Sequence, residues 1–329
     1  MTKLICTLGP STLNKKSLDK LKKIGVDLFR LNLSHLSINQ LRKKILFLKK
    51  NRIKNICLDT EGAQVRTTKV NSKIYLKKNH KINLLSSKKT SNKNNIYLYP
   101  QLNFKKIKIN TEIEIGFENL KVLVVKNNKT FLSCKVISAG YLESNKGVHF
   151  KQNIVLNFLT QKDFKAIEIA KKENIKYYAL SFANNQNDVV KFKKIINKKK
   201  SFLISKIETL NALKNFNKIA NLSDATLLDR GDLSRYIAVE KIPLIQMNLL
   251  KKSKKINKPM YVATNLLESM VNKPYPTRAE SNDIFFTLFS GSKGLVLAAE
   301  TAIGKYPAEC VLFIKRCIKN LQINLRPRN

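Results

Sequence analysis

The stretch YYALSFANNQNDVVKFKKIINKKKSFLISKIE, residues 177–208, sets the fold. Residues 177–183 and 201–208 are short apolar runs of strand length, and residues 186–197 between them carry a helical pattern. Two strands joined by a helix make a parallel βα unit. The same alternation extends outward in both directions. Strand-like runs recur at 3–9 (KLICTLG), 27–34 (DLFRLNLS), 54–60 (KNICLDT), 224–232 (DATLLDRGD), 259–265 (PMYVATN) and 293–300 (KGLVLAAE). Helical spacing appears at 160–173, 240–255 and 307–322, the last with Val311, Ile314, Ile318 and Leu321 on one face. Eight strands alternating with helices specify an α/β protein, a (β/α)8 TIM barrel.

One connection breaks this rhythm. About a hundred residues without a strong helical period separate the third strand from the fourth. Residues 66–150 read instead as short strands and turns: Ile113–Ile115, Val122–Val125 and Thr130–Ile137, punctuated by Asn127-Asn128 and Gly140, with a polar loop at 86–95. The expected organisation is a first barrel part at 1–65, an inserted all-β domain at 66–150 and a second barrel part at 151–329. A domain inserted at the C-terminal face of a barrel is expected to serve as a lid.

Composition narrows the class. With 43% hydrophobic residues the chain is expected to be ordered and globular. Its 63 Lys+Arg against 22 Asp+Glu invite a nucleic-acid reading. The lysines are spread through every region, however, so they read mainly as solvated faces, and neither a specific nucleic-acid partner nor a membrane partner is expected. No signal-peptide pattern follows Met1-Thr2-Lys3, and no apolar run reaches membrane-spanning length. The five cysteines contain no C-x-x-C pair and read as buried hydrophobes of a cytoplasmic protein. The three histidines are too dispersed to form a local metal motif.

Polar residues gather at the strand C-terminal ends, where barrels build their sites. Arg30, Asn32 and Ser34 alternate with leucines in the second strand, and the third ends in Asp59-Thr60. Lys206 and Glu208 close the fifth strand, Arg230-Gly231-Asp232 the sixth, and Thr264 lies on the seventh. This set suits phosphoryl transfer. Glu208 and Asp232 are hard oxygen ligands for Mg2+. Lys206 and Arg30 neutralise charge on a transferring phosphoryl group, and the backbone N–H groups of Gly231 and Asp232 cradle phosphate oxygens.

The segments CTLGPS (6–11), RLNLSH (30–35), LDTEGAQVRT (58–67), SKIET (205–209), RGDL (230–233), ATNLLESM (263–270), NKPYPTRAESND (272–283) and ETAIGKYPAECV (300–311) resemble, in order, the signature blocks of the pyruvate kinase family. The resemblance implies a glycolytic enzyme moving a phosphoryl group from phosphoenolpyruvate to ADP, giving pyruvate and ATP. It assigns Arg30 and Lys206 to the phosphoryl group and Thr264 to the proton-donation path beside the substrate. Glu208 and Asp232 would hold Mg2+, while Asn32, Ser34, Asp59 and Thr60 would hold K+. His35, Arg66 and Lys146 would face the nucleotide. Only Asp59 among the four potassium candidates carries a formal charge, which suits a weakly hydrated monovalent ion.

The sequence departs from the family pattern at Leu36, Glu61, Ala63, Gln64, Asn184, Ser234–Tyr236, Ala298, Ala299 and Ile303. Two alternatives stay open: a catalytically weakened binding protein of this fold, and a Mg-dependent lyase of the phosphoenolpyruvate/pyruvate barrels. The chain stops soon after the eighth barrel helix, so a short form without the family's C-terminal regulatory domain is expected, with a hyperbolic response to phosphoenolpyruvate. A homo-oligomer formed through the barrel is a further option.

Overall fold

In the computed structural model, eight parallel strands close on themselves in chain order: Lys3–Thr7, Leu28–Asn32, Ile56–Asp59, Tyr177–Leu180, Phe202–Ile207, Ala225–Asp229, Met260–Ala263 and Gly294–Leu297. The first strand pairs with both the second and the eighth, which completes the barrel. The structure describes residues 2–62, 64–116, 120–152, 154 and 156–324. It divides into a barrel unit, 1–62 with 161–329, and an inserted unit, 63–160. Ala63 lies outside the described residues.

Period-two alternation decides what fills the barrel. Ile5, Leu28, Cys57, Ala179, Ile204, Ala225, Leu227, Tyr261, Ala263 and Val296 form one interior cluster, with Tyr177 and Phe202 packed against it. The intervening residues, such as Leu4, Leu58, Leu203 and Leu228, are also buried, under the surrounding helices. Strands buried on both faces explain the nearly continuous apolar runs. Helices Gln161–Lys172, Gln186–Ile195, Ile242–Lys255 and Pro307–Asn324 occupy the segments expected from their spacing. Among the described residues no helix is long and apolar enough to cross a membrane.

Two strand ends differ from the sequence reading. The second strand stops at Asn32, and Leu33–His35 turn into a 3-10 segment, so Ser34 does not share a strand face with Arg30 and Asn32. The Asn32 side chain causes this by accepting a hydrogen bond from the Ser34 N–H at 3.0 Å. The sixth strand stops at Asp229, and Arg230–Leu233 form a helical turn, so Gly231 and Asp232 follow the strand instead of ending it.

The inserted unit is built on its own core of Leu84, Leu98, Ile113, Val122, Leu132 and their neighbours. A seven-stranded sheet includes Glu112–Ile115, Leu120–Asn127 and Phe131–Ser138, and a two-stranded sheet pairs Ile74–Leu76 with Gly140–Leu142. Gly140, read from sequence as a break, therefore opens a strand. The unit extends beyond 66–150 because Val65, Ile154 and Leu156 pack on the same core.

Gly294 shows how tightly the barrel interior is filled. A Cβ there would sit 2.5 Å from the Tyr261 ring. Gly294→Ala should lower stability by about 1–3 kcal/mol through overpacking. Urea unfolding of Gly294→Ala, Tyr261→Val and the double variant checks this. The double variant should lose less than the sum of the single changes; strict additivity would mean the methyl and the ring do not collide.

Candidate active site

The inward alternation that fills the barrel with apolar side chains continues past them into charge. Along the fifth strand the inward series runs Phe202, Ile204, Lys206 and then Glu208, one residue beyond the strand end. On the sixth it runs Ala225, Leu227, Asp229, and on the third Cys57, Asp59. The polar ends of these strands therefore meet at the C-terminal mouth.

Lys206 is their centre. Its Nζ lies 2.7 Å from Glu208 Oε1, 3.3 Å from Asp229 Oδ2 and 3.6 Å from Asp59 Oδ2, with the Ser181 hydroxyl 3.4 Å away. Burial alone would lower the lysine pKa, but Asp59, Glu208 and Asp229 outweigh it and hold the ammonium well above its ordinary value. Arg30 Nε donates to Asp59 Oδ2 at 2.8 Å and its Nη1 to the Thr7 hydroxyl at 2.9 Å. Ser181 Oγ donates to the other Asp59 oxygen at 3.1 Å.

Three carboxylates, Glu208, Asp229 and Asp232, bring one oxygen each to within 4.8 Å of one another. Burial drives the Glu208 carboxyl up to about 8; Lys206 pulls it down, and Asp232 and Asp229 push it further up. Asp229 moves the other way. Burial raises it, but Lys206, the Thr264 hydroxyl and Arg30 together hold it below the usual carboxylate range. Crowded hard oxygens, one of which resists ionisation, suit a divalent cation such as Mg2+. The sequence reading had Glu208 and Asp232 but missed Asp229. Leu227 faces the interior, so continuing the alternation by two residues would have found it.

The backbone is bent to serve these groups. Phe182 adopts a left-handed φ of 53° and aims its N–H at Glu208 Oε2, 2.6 Å away. Thr264 follows the seventh strand with φ 79°, a strained conformation for a β-branched residue. Its hydroxyl donates to Asp229 Oδ1 at 2.5 Å, and its carbonyl accepts from Arg230 Nε and Nη2 at 3.0 and 2.6 Å. Gly231 passes so close to this residue that a Cβ would lie 2.8 Å from Thr264 Cγ2.

The potassium candidates are in local hydrogen bonds. Asn32 caps the 3-10 turn through Ser34 N–H, the Thr60 hydroxyl accepts from Ser181 N–H at 2.9 Å, and Asp59 faces Arg30 and Lys206. His35 is exposed at the end of that turn in the barrel unit. Arg66 and Lys146 belong to the inserted unit, where Arg66 donates to the Asn145 carbonyl and Lys146 pairs with Glu143 at 2.8 Å.

Several departures gain a structural account. Glu61 is buried and pairs with Lys162 at 3.4 Å, and Lys162 also donates to the Leu33 carbonyl at 2.5 Å. Asn184 accepts from the Thr209 hydroxyl at 2.7 Å and donates to the Phe182 carbonyl at 3.2 Å, joining the tails of strands four and five. Arg235, which the sequence reading did not place in the site, brings its Nε to 3.6 Å from Asp232.

A sequence profile of the pyruvate kinase barrel domain matches residues 1–311. The pyruvate kinase of Thermotoga maritima is 32% identical over 333 residues, covering 98% of this chain and 72% of its own length. That of Thermococcus litoralis is also 32% identical, with coverage of 98% and 70%. For Staphylococcus epidermidis pyruvate kinase the identity is 30%, covering 94% of this chain and 55% of the relative.

If the three carboxylates share one cation, Glu208→Gln, Asp229→Asn and Asp232→Asn should each weaken Mn2+ binding at least about tenfold. Electron paramagnetic resonance of free Mn2+ measures this without substrate. Native affinity in Asp229→Asn would remove that residue from the ligand set.

Proposed function

This chain belongs to the pyruvate kinase family, and from that premise we propose that it transfers the phosphoryl group of phosphoenolpyruvate to ADP, releasing pyruvate. The observation that carries the reading is the Lys206 ammonium, buried at the C-terminal mouth and held within 3.6 Å of three carboxylates. A cation fixed before substrate arrives needs no reorganisation when charge moves across the transferring phosphoryl group.

Lys206 and Arg30 neutralise phosphoryl oxygens from adjacent positions of the interior. Glu208, Asp229 and Asp232 hold the divalent cation, which when bound supplies further positive charge to those oxygens. Gly231, lacking a Cβ, lets the turn at 230–233 approach Thr264 closely, and the Gly231 and Asp232 N–H groups are offered to phosphate. The Thr264 hydroxyl, already donating to Asp229, lies on the path by which the enolate gains its proton. His35, Arg66 and Lys146 are assigned to nucleotide contacts on the family resemblance.

Potassium is assigned to Asn32, Ser34, Asp59 and Thr60. The Asn32 and Thr60 oxygens each accept one hydrogen bond, which leaves a lone pair on each for a cation. Asp59 is the one formal negative charge of the set and already faces Arg30 and Lys206, which favours a singly charged ion over a divalent one.

Two measurements test the proposal. Pyruvate release from phosphoenolpyruvate plus ADP, coupled to a dehydrogenase, should be readily detected in the native protein. In Lys206→Met, kcat should fall roughly a hundred- to a thousandfold. Its melting is followed in parallel, because three buried carboxylates lose their shared countercharge. Near-native turnover in this variant would refute the phosphoryl role of Lys206.

The ion is tested separately, with saturating Mg2+ and tetramethylammonium as the only monovalent cation. Adding K+ should raise the rate severalfold or more. Equal rates before and after would leave the four residues with a structural role alone.

A further inference from the structure

The opposite mouth of the barrel, where the strands begin, holds a second feature that phosphoryl transfer does not use. A cavity of about 770 Å³ opens there, within the range of small-molecule sites. Four aromatic side chains line it: Tyr177 at the start of strand four, Phe202 at the start of strand five, Tyr261 in strand seven and Phe289 at the end of helix Arg278–Phe289. The Tyr177 and Phe202 rings are tilted against each other with centroids 5.8 Å apart. Tyr177 and Phe202 are only half-buried, so ring surface faces the cavity.

The rim is basic. Lys254, Lys258 and Lys293 line the same cavity. Lys258 donates to the Ser223 carbonyl at 3.0 Å, and among the described residues none of these three lysines is in an ion pair. The cavity has one carboxylate, Asp27, and it is already occupied. Lys3 and Lys315 lie 3.2 and 3.6 Å from its oxygens, and Leu4 N–H donates to it at 2.8 Å. The mouth therefore combines an aromatic wall with an excess of positive charge.

We propose that this N-terminal mouth binds a small anion bearing a planar ring, of the nucleoside-phosphate class, at a site distinct from the charged strand ends. The ring lies against Tyr177, Phe202 and Tyr261, since aromatic side chains stack bases with little regard to identity. The phosphate meets Lys254, Lys258 and Lys293 as charge-assisted hydrogen bonds. A purely apolar ligand would leave three ammonium groups unused, and a bare inorganic anion would leave the aromatic wall unused.

The test is photolabelling of the full chain with 8-azido-AMP, followed by peptide mapping. Label is expected on peptides containing Tyr177, Phe202 or Tyr261. AMP should displace it, with inorganic phosphate and adenosine each at least about tenfold weaker, the loss expected when one half of the recognition is missing. In the variant Lys254→Glu/Lys293→Glu labelling of these peptides should fall by at least about tenfold, with the melting temperature and pyruvate release retained. Both lysines are exposed and lie outside the proposed active site, so failure of that activity would not imitate loss of this site.

Three results would overturn the proposal. They are label confined to other peptides, equal displacement by phosphate alone, and displacement by polyuridylate far below the AMP concentration needed. The last would assign the basic surface to single-stranded nucleic acid instead.

Discussion

The polar end of this barrel depends on one buried ammonium. Lys206 is almost fully enclosed, as are Asp59 and Glu208 beside it. Each of these charges alone would be expensive to remove from water, by several kcal/mol in a real protein interior. Together they are tolerable because the cation touches all three carboxylates and Arg30 supplies a second positive group to Asp59. The arrangement stabilises less than it specifies. A ring of alternating charges has few low-energy geometries, so the strand ends that carry it are fixed relative to one another. Burial, reinforced by the nearby Asp232 and Asp229, also leaves Glu208 reluctant to ionise, which is a reason for a further cation to be welcome there.

Around this ring the motif residues act largely as braces. Arg230 contacts both Asp283 oxygens at 2.9 and 2.8 Å and also holds the Thr264 carbonyl. That clamp keeps Thr264 in a left-handed conformation, which costs of order 1–3 kcal/mol for such a residue. Glu280 completes a capping box with Thr277 and accepts from the Ser269 N–H at 2.7 Å, so the segment 268–271 is tied to helix Arg278–Phe289. Glu300 does similar work, accepting from Leu267 N–H at 3.1 Å and Ala298 N–H at 2.7 Å. The block NKPYPTRAESND thus fixes backbone through Thr277, Glu280 and Asp283, while the candidate catalytic side chains lie elsewhere.

This division explains what was legible in the sequence. Eight strands and their order follow from local apolar runs, and Lys206, Glu208 and Asp59 follow from alternation within a strand. Asp229 was missed because the sixth strand was read through to Asp232, and a run of charged residues gives no local sign of where pairing stops. Ser34 was misplaced because Asn32 hydrogen-bonds the chain into a turn that leucine spacing does not reveal. The Glu61–Lys162 pair was illegible for a different reason. Its partners are separated by the whole inserted unit, and no local pattern links them. The left-handed turns at Phe182 and Thr264 were equally hidden, since neither residue type favours that region.

The two mouths take opposite character from a single alternation. Read from bottom to top, the fifth strand presents an aromatic ring, an isoleucine, an ammonium and a carboxylate to the axis. The apolar middle has a consequence for the charged top. Ile5, Cys57, Ala179, Ile204, Leu227 and Val296 fill the axis below Lys206 with apolar atoms. Lower local polarity strengthens each Coulomb contact and raises the penalty for leaving any of them unmade. Small side chains at Ala179, Ala225 and Ala263 let this plug pack without forcing the strands apart, while Gly294 makes room for the Tyr261 ring beneath it. A larger residue at those positions would disturb the charged ring without touching it. The interior packing and the candidate chemistry are therefore consequences of the same side-chain series.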